Sequence, residues 1–186
     1  MTGKVEIVNI ALSRLGESPI QSMDEGTVPA NMAKVLYDSA RRSTLRDYNW
    51  NFALKIANLA RLAEVPCDFR FAYALPSDCL RAVRLRGRAP YVLRGKVLYT
   101  DAETPALEYI VDVTNEADFD SKFIEAFSYK LASELAMPVK ESRELMASYS
   151  NAYSAFIQQA AAESAREMEV SLSDNPYVEA RFNGGC

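Results

Sequence analysis

The side chains able to do chemistry in this 186-residue chain are carboxylates, lysines and tyrosines, because histidine is absent. Its absence removes Ser-His-Asp and Cys-His nucleophilic catalysis and every His-ligated metal site. Cys67, Cys79 and Cys186 are too few and too dispersed for a four-ligand zinc site or a disulfide framework. Neither GxGxxG nor GxxxxGK followed by Ser or Thr occurs, so the common phosphate-cradling loops are missing. Among the carboxylates, Glu134, Glu141 and Glu144 fall near a predicted helix junction. Two acids about 5 to 10 Å apart can hydrolyse a glycoside. The spacing of these three is equally that of solvated helix faces. No catalytic residue, metal or cofactor is assigned.

A second kind of chemistry is carried by cations and aromatics. The run Ala40 to Ala53 sets Arg41, Arg42 and Arg46 among Tyr48, Trp50 and Phe52. Stacking and phosphate contact by such residues can hold a single-stranded nucleic acid, so a binding module would use the basic 41–96 region. The competing reading makes Tyr48, Trp50 and Phe52 core anchors buried against a helix pair, with the arginines facing solvent or acidic partners. Overall charge favours the second reading, since 21 Lys and Arg stand against 25 Asp and Glu, a net −4.

Charge is unevenly spread. Residues 41–100 carry 12 basic and 4 acidic side chains, net +8, whereas residues 101–186 carry 6 and 16, net −10. Such segregation suits self-association, a basic set of Arg81, Arg84, Arg86 and Arg88 meeting the Glu163 and Glu167 of a neighbour.

Stepwise apolar spacing predicts the elements that place these residues. Helices are expected over 4–16, 28–48, 120–136 and 139–168. Gly16 suits the first stop, Pro29 the first turn of the second helix, and Asp120 the cap of the third. Phe123, Phe127, Leu131 and Leu135 form an i+4 ridge, and Pro138 is expected to open the last helix. That helix would be a rod of roughly 45 Å. Between about 52 and 113, short alternating segments predict an antiparallel β insertion, with a hairpin turn at Arg94-Gly95-Lys96. Residues 169–186 hold Pro176, Gly184 and Gly185 and are expected to be an extended arm. The expected fold is therefore mainly α: a helical bundle with one long C-terminal helix, a small antiparallel β insertion and the arm. A single domain would span 1–168. No apolar run approaches the roughly 20 residues of a membrane helix, and Glu6 stands where a secretory signal is apolar, so no membrane anchor is expected.

Several segments taken in order resemble one family. They are Ala11-Leu12-Ser13-Arg14-Leu15-Gly16, Trp50-Asn51-Phe52-Ala53, Tyr73 to Arg81, and Leu131-Ala132-Ser133-Glu134-Leu135-Ala136. The chain resembles the head-to-tail adaptors of short-tailed bacteriophages, also called tail tubular protein A. The resemblance implies a structural virion protein rather than an enzyme, assembled in the host cytoplasm and placed at the head–tail interface of the tail. It implies a homo-oligomeric ring of about twelve subunits. Such a ring joins the portal protein to the tail tube or nozzle and lets double-stranded DNA pass without sequence-specific binding. The arm, through Val170, Leu172, Tyr177, Val178 and Phe182, would dock on the portal, with a neighbouring subunit as second receiver. Some relatives are linked to peptidoglycan hydrolysis, but no residues here support carrying that over.

Overall fold

The computed structural model describes residues 3–63 and 68–173, the last ten of these by backbone alone. Helix α1, Lys4–Arg14, stops where Gly16 takes φ +67°. Gly16 N–H then reaches the Ser13 carbonyl at 3.1 Å and Glu17 N–H that of Leu12 at 3.0 Å, a Schellman closure. Helix α2, Val28–Asp47, starts with Thr27 Oγ1 accepting from the Ala30 amide and Pro29 in its first turn. It buries Ala33, Tyr37, Ala40, Arg41, Thr44 and Leu45 along one face.

Seven strands follow among the described residues: β1 Leu54–Asn58, β2 Ala60–Arg61, β3 Phe71–Ala74, β4 Cys79–Leu85, β5 Tyr91–Arg94, β6 Val97–Thr100 and β7 Ala106–Val111. They form two antiparallel sheets, one ordered β1-β7-β4 and the other β2-β3-β6-β5. Strand β7 is central in the first, buried from Leu107 to Val111, with Ile110 opposite Leu54 and Leu107 opposite Leu85. The β5–β6 hairpin turns on Gly95 and Lys96, and Gly95 supplies φ +62° at the first loop position.

Helix α3, Ser121–Lys140, is capped by Asp120 Oδ1 on the Phe123 amide at 2.6 Å. Its i+4 ridge, Phe123, Phe127, Leu131 and Leu135, is fully buried. Phe123 is the hub of the aromatic core. Ring centroids lie 5.2 Å away at Trp50, 5.2 Å at Phe52 and 4.7 Å at Phe119. Helix α4, Arg143–Ser173, lies along α3.

Three expectations are corrected. The fold is not mainly α with a small insertion: among the described residues, two sheets of three and four strands beside four helices make it α+β. Strands of two to five residues carry little periodicity on their own, and several sit at exposed sheet edges. Spacing marks them as short strands, but their pairing partners lie far away in sequence, so it does not show that they build two sheets instead of one small insertion. Second, Pro138 lies inside α3 rather than opening α4. The closing bonds run from the Glu141 and Ser142 amides to the Met137 and Ala136 carbonyls and need no N–H from Pro138. The break comes where Glu141 takes φ +52° and Ser142 Oγ accepts from the Leu145 amide at 3.2 Å. Third, α4 continues to Ser173, so Val170 and Leu172 are helical instead of extended. Acidic residues near a helix C-terminus cost only about 0.3–1 kcal/mol each, too little to end it. No Pro or Gly occurs between Arg143 and Pro176.

Candidate assembly surface

The C-terminal half of α2 is where helices and sheets are joined. Arg41 is 2% exposed, and its guanidinium donates to Asp112 Oδ1 and to the Val113 carbonyl at the end of β7. Arg42, one residue on and exposed, reaches the other Asp112 oxygen at 3.1 Å. Arg46 donates to the Leu80 carbonyl and Arg81 to Asn49 Oδ1. The sequence pattern placed these arginines in solvent or against partners, and so missed Arg41. A signal existed, because Arg41 follows Tyr37 by four residues and precedes Thr44 by three, on the buried face.

Tyrosine hydroxyls fasten α4 to the rest. Tyr153 donates to Asp47 Oδ2 at 2.7 Å, Tyr48 to the Ala160 carbonyl at 3.2 Å and Tyr149 to the Arg14 carbonyl. Burial first, then the hydrogen bond to Asp47, pushes the Tyr153 phenol far above its ordinary value. Tyr37 is raised likewise by burial and Glu116. In the first sheet Tyr109 donates to Asp78, and burial with that charge pushes it up to about 12.

Among the proposed anchors, Trp50 is 2% exposed and donates Nε1 to the Thr44 carbonyl at 2.8 Å. Tyr48 and Phe52 are half-buried on either side of it. Stacking of these rings on a nucleic acid would require the core to open.

The basic set divides in two. Arg84 is held by Glu108 across the β4–β7 pair, and Arg94 by Asp68 at 3.5 Å. Arg86 and Arg88, on the loop between β4 and β5, and Lys96, on the hairpin turn, are exposed and make no ion pair among the described residues. With Arg61 and Arg70, which are exposed and stack on Phe71 without an ion pair among the described residues, they are open to a partner. Of the acidic set, Glu163 pairs with Lys122 at 2.9 Å, whereas the Glu167 side chain lies outside the described residues. Tyr177, Val178 and Phe182 also lie outside them.

A cleft of about 590 Å3 opens at the helix–sheet junction, lined by Asp47, Tyr48, Asn49, Arg81, Arg84 and Glu108 among others. Its carboxylates are engaged, Asp47 by Tyr153 and Glu108 by Arg84. The acids named for hydrolysis do not share a cleft with it. Burial raises the Glu134 carboxyl beside Lys130, while Glu141 and Glu144 are exposed at the α3–α4 turn. The half-buried Cys79 thiol is pushed up by burial and by Asp78, the wrong direction for a nucleophile.

A family model described as tail tubular protein matches residues 5–121, more than half of the chain. The chain belongs to the tail tubular protein family. It is thus a structural protein of the bacteriophage virion and a component of the tail. The matched stretch of this tail tubular protein runs from α1 through both sheets to the start of α3. No curated protein matches the chain.

Proposed function

We propose that this tail protein is a ring-forming head-to-tail adaptor. Its copies join the portal protein above to the tail tube or nozzle below and surround the path of the leaving double-stranded DNA. The observation that carries this reading is segregated charge on a tail protein. Arg86, Arg88 and Lys96 stand exposed without an ion-pair partner among the described residues, while the chain beyond residue 100 is net −10. Cations of one copy facing acids of the next make a heterologous contact, which closes into a ring when the rotation allows.

The 31-residue α4, roughly 46 Å long, gives each copy a rod on which such a ring can be built. In this reading an adaptor domain spans 1–168 and the C-terminal arm follows it. The test is the solution mass of the purified chain alone and with its portal protein. A discrete ring that binds the portal supports the reading, and a chain that stays monomeric under both conditions overturns it.

A further inference from the structure

Strand β5 is an edge. It pairs with β6 alone, Tyr91 opposite Thr100 and Arg94 opposite Val97, and no other described backbone group bonds to it. An edge strand offers a row of free N–H and C=O groups, and proteins usually cover or blunt it. Here two consecutive large apolar residues, Val92 at 40% and Leu93 at 41% exposure, remain open on opposite faces. Tyr91, on the same face as Leu93, packs against the core and donates its hydroxyl to the Val83 carbonyl. That face therefore reads as a core margin left uncovered.

The chain beyond α4 has a matching sequence. Tyr177-Val178-Glu179-Ala180-Arg181-Phe182 alternates, with Val178, Ala180 and Phe182 on one parity and Tyr177, Glu179 and Arg181 on the other. Three residues, Asp174 to Pro176, link it to the end of α4 at Ser173, and the stretch from 174 to 182 can span about 30 Å.

We infer that residues 177–182 of one copy add as an antiparallel strand to β5 of a second copy. One register continues the apolar face: Phe182 falls opposite Tyr91 and Ala180 opposite Leu93, while on the other face Glu179 falls opposite Arg94 and Arg181 opposite Val92. The exposed Arg86 and Arg88 before β5 and Lys96 after it favour a segment that brings Asp174 and Glu179 against the single Arg181. Donor strand and acceptor edge are different surfaces, so each copy grips the next in one direction. The inference rests on the ring-forming reading and names the contact through which copies hold one another.

The test is a disulfide trap in the full chain carrying Leu93→Cys and Ala180→Cys, with Cys67, Cys79 and Cys186 replaced by Ser and each single variant on that background as control. Mild oxidation should give a ladder of covalent oligomers, absent from both controls. Hydrogen exchange supplies a second readout in the unsubstituted chain. Amides of β5 should be protected in the oligomer and lose about tenfold of that protection when residues 174–186 are deleted. A trapped monomer, the segment closing on its own chain, overturns the inference. So does an oligomer that gives no ladder and an unchanged exchange pattern, which leaves the ring reading standing and points to the portal as the receiver. A chain that never associates overturns both.

Discussion

The Arg41 guanidinium of α2 meets the Asp112 carboxylate at the end of β7 at 2.5 Å, with 2% of the arginine side chain exposed. This pair locks the helical layer to the central strand of the first sheet. Removing one partner of a buried ion pair costs about 3–5 kcal/mol, and the other carboxylate beside Arg41, Asp38 at 3.5 Å, is largely exposed and at the limit of hydrogen-bond distance. Asp112→Ala should therefore lower the urea midpoint severely. Arg42→Ala, which removes an exposed contact to the same carboxylate, should stay within about 1 kcal/mol. Equal losses in the two variants would refute the assignment of Arg41 as the buried partner.

Trp50 closes the same junction from the other side. Its ring meets Phe123 edge-on at 5.2 Å and Tyr48 at 4.8 Å. Trp50→Ala should cost roughly 3–5 kcal/mol, while Trp50→Phe keeps most of the apolar contact. Native tryptophan emission should be blue-shifted and move to the red as urea unfolds the chain. Water-like emission in the native protein would contradict the burial.

Charge reversal should separate assembly from folding. Arg86→Glu with Arg88→Glu changes two exposed cations that have no ion-pair partner among the described residues, so the thermal midpoint should hold. Self-association should weaken about tenfold or more, near 1.4 kcal/mol, and by less at high salt where screening already acts. Arg84→Glu should behave differently, because it sets a carboxylate against Glu108 across β4 and β7 and destabilises the monomer itself. Sedimentation at low and high salt beside thermal melts distinguishes the two. Intact, salt-insensitive oligomers from the double variant would remove the charge-matching argument.

Alkaline pH should loosen the fold through its buried phenols. Burial chiefly, helped by Asp78, pushes Tyr109 from 10.0 to about 12, so the folded state favours the neutral phenol. Its stabilisation is complete below pH 10 and is lost as pH rises through about 12. Tyr37 and Tyr153 are raised in the same sense and add to the fall. The urea midpoint should decline between pH 10 and 12, and Tyr109→Phe should flatten part of that decline. An identical slope in the variant would show that this phenol does not titrate with unfolding.

Much of the scaffold is written in local chemistry. Gly16 at the end of α1, Asp120 at the head of α3, the Phe123 to Leu135 ridge and the Gly95-Lys96 turn all act within a few residues of themselves. Caps, i+4 contacts and two-residue turns are short-range, so spacing alone reveals them. The absence of histidine belongs to the same class, since composition needs no fold to exclude a chemistry. Sheet membership does not. Strands β4 and β5 are neighbours in sequence yet lie in different sheets, while β1 pairs with β7 across some fifty residues. Pairing is settled by which faces can be buried together, and that depends on distant segments. Arg41 and Arg42 show the same limit at a single helix turn. They are identical residues side by side and both reach Asp112, 71 residues beyond Arg41, yet one is buried as structure while the other faces water. The helix period could say which face turned inward. Only the packed fold could supply the carboxylate that lets a guanidinium stay there.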